Sequence, residues 1–358
     1  MQTHTPIITS SDCEGAGEVF TVETPERSSG SSTSRGSSEG DSSEPFFRTS
    51  KYLTVSSQLH LEALASAVKN VWTLSPTFRA EKSDTARHLS EFYMLEAEMA
   101  FVQDANEVMD VIEDMIKFVA AKLANSKLGD ELCSGRRSDA LRAANEETER
   151  EHLSGEALQE RWHNLANTKW ARITYHQACN RITSDAKDGK AHFETLPTQD
   201  SGLDTEHERY IAEAVGRGGP VFVTDYPKSI KPFYMLPSMP RSAEELGPLP
   251  TVACWDLLMP DVCEVVGGSM REHRLDELET AMKEKGLTLG ARTSDTEAQE
   301  DAGTGDAGLQ WYLDLRRYGS VPHGGWGLGF DRLLGYLAGV NNVRDIVTFP
   351  RYHKRCLC

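Results

Sequence analysis

Residues 324–332 read Gly-Gly-Trp-Gly-Leu-Gly-Phe-Asp-Arg, and an apolar stretch, Leu-Leu-Gly-Tyr-Leu-Ala, follows at once. Glycines this dense in a strand-like run leave backbone open to close approach by a ligand or another chain segment. Arg332 falls where that strand turns into a helix, near a helix N-terminus that itself favours anions. A lone Gly-rich strand is a weak signal. One that ends in Asp-Arg and opens an apolar helix is stronger, and it needs a sheet around it.

The remaining periodicity supplies one. Residues 71–80 and 92–102 read as strands joined by a polar loop, 220–226 as a short buried strand, and 252–258 with 262–267 as another pair. Helices are expected over 59–71, 105–128, 275–285 and 333–339. On the second of these, Val108, Val111, Ile112, Met115, Ile116 and Val119 share one face. Strands cluster in hairpins separated by helices, without regular βαβ alternation. That favours an α+β fold on an antiparallel sheet over a doubly wound parallel sheet. The sequence has no G-x-x-x-x-G-K-[ST] and no strand followed by G-x-G-x-x-G, so a bound nucleotide would not sit on a P-loop.

Three stretches interrupt this pattern. Residues 25–46 are Ser/Gly-rich and nearly without apolar side chains, which predicts a disordered insertion. Residues 128–200 are expected as a charged helical insertion, densest in charge over 128–160. Residues 293–308 are acidic and loop-like. Between them lie 1–24, 47–127 and 201–358.

The net charge is −17, so general binding to phosphate backbones is excluded and any RNA contact must come from a local basic patch. The apolar runs fall far short of the ~18–20 residues that span a bilayer, so no membrane partner is expected. Seven scattered cysteines without C-x2-C spacing argue against a zinc site and for a reducing compartment. The first residues have neither a secretory nor an Arg-rich transit pattern.

Three clusters carry chemistry. In the first, Arg79 ends a strand and Arg87 sits in the loop before the next, so a hairpin would aim both guanidiniums at one place, a geometry suited to phosphate. Phe92 offers a face for a base, and Glu81 an acceptor for an exocyclic amine. By itself this also describes an ordinary hairpin with a charged tip. The second cluster is the Gly-rich strand with Arg332. The third, 254–274, sets Asp256 and Glu264 in an otherwise apolar strand pair, with Arg271 after a Gly-Gly-Ser turn. Buried acids are costly unless paired or metal-bound, and Mg²⁺ on phosphates uses one or two carboxylates. A surface hairpin with scattered charges reads the same way.

Together these clusters resemble the signature motifs of class II aminoacyl-tRNA synthetases. FRAE with RHLSEF (residues 78–92) is similar to motif 2, GLGFDR (327–332) to motif 3, and THTPIITSSD, with Pro6, to the tail of motif 1. The aspartate/asparagine/lysine branch is indicated by SDCEGAGE, YLTVSSQLHLEAL, EVVGGSMRE, YLDLRRYGSVPHGGWGLGFDR and NVRDIVTFPR. The resemblance implies a catalytic domain on an antiparallel sheet flanked by helices, with ATP and Mg²⁺ as cofactors. It implies that Arg79 holds the α-phosphate and the amino-acid carboxylate, and that Arg79 and Arg332 are the catalytic residues. Glu81 and Phe92 would hold adenine, with His88 and Gly329 also in the ATP site. Arg87 and Arg332 would hold the γ-phosphate side, and Asp256 and Glu264 the metal. Glu14, Gln58 and Glu96 would surround the substrate's α-amino group, and Arg271 would reach its side chain.

Aspartyl members are similar but carry a lysine where this chain has Leu61, and an arginine where it has Gly17. Losing positive charge there suits a neutral amide. The resemblance therefore implies asparagine and tRNA(Asn) as partners and asparagine–tRNA ligase activity. An aspartyl enzyme is the alternative, as is a paralog without anticodon binding that makes asparagine or is non-catalytic. The family's N-terminal OB-fold anticodon domain and the first helix of motif 1 find no counterpart, so an N-terminally truncated chain is expected. Homodimerisation belongs to the full-length family and stays open for this chain. VSSQLHLEAL and EFYMLEAEMAF look bacterial in type and the insertions eukaryotic, which points to the mitochondrial matrix, with the cytoplasm as the alternative.

Overall fold

The computed structural model describes residues 1–10, 18–23, 46–47, 50–83, 85–134, 153–287 and 309–357. Two short strands, β1 (Ile8–Thr9) and β2 (Thr21–Val22), flank β3 (Lys51–Leu53) in a small antiparallel sheet. The main sheet contains β4 (Asn70–Phe78), β5 (Glu91–Ala100), β6 (Ala171–Thr174), β7 (Val221–Thr224), β8 (Cys254–Met259), β9 (Cys263–Met270) and β10 (His323–Gly329). Its spatial order is β4-β5-β10-β9-β8-β7-β6. Neighbours are antiparallel except β6 and β7, which run parallel. The α+β, antiparallel expectation holds, and the Gly-rich strand lies centrally between β5 and β9.

The helices are α1 (Gln58–Val68), α2 (Ala105–Ala124), α3 (Lys127–Cys133), α4 (Gly155–Asn167), α5 (Tyr175–Lys187), α6 (Thr205–Ala214), α7 (Ala243–Leu246), α8 (Leu275–Glu284), α9 (Gln310–Arg317) and α10 (Phe330–Ala338). None of them is long and apolar enough to cross a membrane. A reciprocal capping box between Asp104 and Glu107 starts α2.

The sheet's alternation assigns its two faces. Trp326 and Leu328 of β10, Val266 of β9 and Trp255 and Leu257 of β8 point into one core with Val108, Ile112 and Ile116 of α2 and Leu158 and Trp162 of α4. Trp162 is fully buried and its Nε1 donates to the Leu337 carbonyl at 2.8 Å. Truncating a side chain like this costs about 3–5 kcal/mol. Val111 and Val119 are instead 41% and 38% exposed, because the buried stripe of α2 is centred on Ile112 and Ile116 and takes in Met109 and Ala120.

Residues 128–200, expected as a charged helical insertion, contribute to the core through their described part. Besides α4, the segment supplies the edge strand β6 and, from α5, the buried Tyr175, Ala178, Cys179 and Ile182. Charge density concealed the apolar stripe: α4 buries only Leu158, Trp162 and Leu165 among polar residues. Residues 25–46 apart from Phe46, and 293–308, lie outside the described residues.

Candidate active site

The opposite face of β5, β10 and β9 lines a cavity of about 510 Å³. Gln58, Arg79, Glu81, Arg87, His88, Phe92, Glu96, Asp256, Glu264, Arg271, Gly329 and Arg332 all border it. Thus every site residue expected from sequence meets the others in one place, except Glu14, which with Gly17 lies outside the described residues.

Period-two alternation puts Phe92, Met94, Glu96 and Glu98 of β5 on the cavity side. The β4–β5 hairpin is closed by Arg79 N donating to the Ser90 carbonyl at 3.0 Å, so Arg79 and Arg87 both leave the hairpin toward the cavity. Arg79 lies over the Phe92 ring, 5.9 Å from its centroid, and 3.7 Å from Glu81. His88 Nε2 is 3.3 Å from Glu81. Burial lowers the His88 pKa; Glu81 opposes this, while Arg87, Arg332 and Arg79 push it lower.

Arg332 belongs to the first turn of α10 rather than to the turn before it. Its guanidinium donates to the Glu264 carbonyl of β9 and, at 3.4 Å, to the Arg87 carbonyl. It therefore ties the motif 2 loop to the sheet. Asp331 Oδ2 accepts from Tyr93 N at 2.9 Å, which fixes α10 against β5. Arg87 is gripped by α6, donating to Thr205 Oγ1 and lying 3.7 Å from Glu208. Burial and the facing carboxylates Glu264 and Asp256 push Glu208 up to about 8.

Asp256 and Glu264 come from adjacent strands, and their mutual repulsion adds to burial in raising Glu264. Lys231 Nζ sits 3.0 Å from Asp256 Oδ2. Glu208 and Lys231 were not singled out in the sequence, where nothing distinguishes them from surface charges. Only the packing of α6 and of the 228–234 loop brings them here.

At the other end of the cavity, Glu96 accepts from Ser56 Oγ (2.5 Å) and from Ser57 N (2.8 Å), at the N-terminus of α1. A carboxylate there is favoured by the helix dipole. Arg271 is 3% exposed and donates from Nε and Nη2 to Glu98, at 3.2 and 3.1 Å. Burial and the charge of Glu62 raise the Glu98 pKa, while Arg271 and His323 oppose this; Arg271 itself keeps its proton. Leu61 borders this end. Glu98 lies in EFYMLEAEMAF, six residues past the motif 2 segment, and had no assigned role, because a sequence gives no distance to Arg271.

The family profile described as tRNA synthetases class II (D, K and N) matches residues 1–353. The chain belongs to that family. It is 40% identical over 351 residues to the mitochondrial asparagine–tRNA ligase of Saccharomyces cerevisiae, covering 97% of this chain and 62% of the relative. It is 42% identical over 348 residues to the asparagine–tRNA ligase of Clostridium tetani, covering 97% of this chain and 65% of the relative. The crystal structure of asparaginyl-tRNA synthetase from Pyrococcus horikoshii complexed with asparaginyl-adenylate superposes with a TM-score of 0.68 at 29% identity, covering 99% of this chain and 64% of that one. The chain thus spans under two thirds of the length of these relatives. The segments that resemble motifs 2 and 3 lie on the β4–β5 hairpin and on β10 with α10.

Proposed function

We propose that this chain carries an asparagine–tRNA ligase site, which activates asparagine with ATP and passes it to tRNA(Asn). The reading is carried by the charge of the cavity's side-chain end. Among the described residues, the ion pair of Glu98 with Arg271 borders this end together with Glu96 and Leu61. An aspartate side chain would bring a further negative charge to this end. An amide brings none, offers N–H to the carboxylates and accepts from the guanidinium. A site built to pair a substrate group discriminates by about 10⁴-fold or more. The asparagine–tRNA ligase relatives support the same choice.

In the reaction, a carboxylate oxygen of asparagine attacks the α-phosphorus of ATP in line and pyrophosphate leaves. The tRNA terminal hydroxyl then attacks the adenylate carbonyl and AMP leaves. No protein nucleophile is needed, because positioning and charge neutralisation lower the barrier. In this reading Arg79 spans the α-phosphate and the substrate carboxylate. Arg87 and Arg332 hold the far phosphates, Phe92, Glu81, His88 and Gly329 accommodate the nucleoside side, and Gln58 and Glu96 receive the α-ammonium.

The carboxylates of Asp256 and Glu264 suit Mg²⁺: they are oxygen donors held close enough to repel each other, and a divalent cation relieves that repulsion. Among the described residues no group of three ligands forms, which fits an ion that shares its coordination with phosphates. When bound, Mg²⁺ would supply charge neutralisation on the phosphates. A homodimer and the mitochondrial matrix complete the proposal, the latter supported by the yeast relative.

ATP–pyrophosphate exchange on the purified chain tests the reading. Exchange driven by asparagine and not by aspartate is expected; exchange driven by aspartate contradicts it.

A further inference from the structure

Glu62 lies on α1 one turn beyond Gln58, and its side chain is fully buried. It does not border the cavity. Its two oxygens face different neighbours. Oε2 accepts from Tyr312 Oη at 2.7 Å, Arg316 Nη2 at 2.7 Å and His323 Nε2 at 3.1 Å. Oε1 accepts from Gln58 Nε2 at 3.1 Å and lies 3.9 Å from Arg271 Nε. One oxygen is thus anchored by α9 and β10, and the other is turned toward two side chains that border the cavity. Burial alone would raise the Glu62 pKa, but Arg316 and His323 outweigh it and hold the carboxyl well below the usual carboxylate range.

An ionised carboxylate only accepts hydrogen bonds, so it dictates which end of a neighbouring amide turns to it. With Nε2 of Gln58 committed to Glu62, the amide's carbonyl is the end left for the cavity. We propose that Glu62 is a positioning residue for the amino-acid substrate: its anchored carboxylate sets Gln58 carbonyl-first toward the α-ammonium. The proposal rests on the amino-acid-activating reading above and extends it to a side chain that does not touch the substrate. The partners of Glu62 are Gln58, Tyr312, Arg316, His323 and Arg271, and none of them belongs to the ATP end built on Arg79, Arg87 and Arg332, so the effect is expected on the amino acid.

Glu62→Gln keeps the shape but presents an NH₂ group to Gln58, which reverses the polarity of the Gln58 amide. Steady-state ATP–pyrophosphate exchange on the intact chain reads the result. The KM for asparagine is expected to rise by about tenfold or more, as for a lost partner in a buried polar contact, with the KM for ATP within about twofold of wild type. Adding Glu62→Gln to Gln58→Met is expected to cost no more than about twofold beyond Gln58→Met alone, since Glu62 acts through that amide. An unchanged asparagine KM, equal rises for asparagine and ATP, or effects that multiply in the double variant each overturn the proposal. If thermal unfolding shows that Glu62→Gln does not fold, Tyr312→Phe removes one anchor with shape retained. A rise of about threefold in the asparagine KM is then expected, and none overturns it. Should wild type exchange with a different amino acid, the asparagine reading fails and the same KM split is measured with that amino acid. A wild type that exchanges with none overturns both readings.

Discussion

Arg271 meets Glu98 across the middle of a glycine strand. Glu98 of β5 is in register with Gly325 of β10, which in turn pairs with Ser269 of β9, two residues before Arg271. A Cβ built on Gly325 would lie 1.9 Å from Glu98 Oε2 and 2.4 Å from the Ala97 carbonyl. The glycine is therefore what lets the carboxylate lie flat over the strand and reach the guanidinium, with Nη2–Oε2 at 3.1 Å. Gly268 is similar on the other face, where a Cβ would fall 2.5 Å from the Trp255 ring.

From this contact it follows that Gly325→Ala displaces Glu98 and frees Arg271. A loss of stability of about 1–3 kcal/mol is expected, as for other overpacked sites. Asparagine-dependent exchange should fall by at least about tenfold beyond what the fraction of folded protein explains. Denaturant unfolding alongside exchange kinetics separates the two effects.

Leu61 and the carboxylates across from it make a second prediction. Leu61→Lys places a cation opposite Glu96 and Glu98, offsetting the negative balance of the side-chain end. The ratio of aspartate-driven to asparagine-driven kcat/KM should rise by about tenfold or more, because the substituted site no longer repels an anion. An unchanged ratio would show that the charge of this end does not select the amino acid.

Arg332 tests the phosphate end. Arg332→Ala is expected to lower pyrophosphate exchange by about 10²–10³-fold, the usual scale for losing one preorganised donor at a developing charge. Circular dichroism should remain that of the folded chain. Undiminished exchange in the folded variant would remove Arg332 from the phosphate site.

His323 gives a pH dependence with a definite sign. Burial by itself lowers its pKa, but the hydrogen bond and charge of Glu62, with Glu98, raise it above 6.5. A histidine raised on folding contributes stability that is fully present below the unfolded value of 6.5 and is lost as pH rises through the folded value. The stability difference between wild type and His323→Gln should therefore shrink from pH 6 to pH 9. Urea unfolding of both proteins across that range measures it, and a constant or growing difference contradicts the assignment.

Much of this was legible in the sequence, for identifiable reasons. Period-two and period-3.6 patterns located the β4–β5 and β8–β9 hairpins, α2 and the β10–α10 unit, because these segments each bury a clear face. That Arg79, Arg87 and Arg332 converge on one cavity was legible because they lie next to turns. Glu62 and Glu98 were not, because their partners lie far away in the chain: Glu62 meets Arg316, and Glu98 meets Arg271. A carboxylate at the i+4 position from Gln58 on an otherwise buried helix face was the available signal for Glu62. The core contribution of residues 155–187 was not legible, because dense charge surrounds only a few large apolar side chains, Trp162 foremost.

The most direct test remains ATP–pyrophosphate exchange on the purified chain, with asparagine and aspartate run side by side. The charge arrangement around Arg271, Glu98, Glu96 and Leu61 predicts exchange with asparagine and none above background with aspartate. Exchange with aspartate equal to or greater than that with asparagine would contradict it.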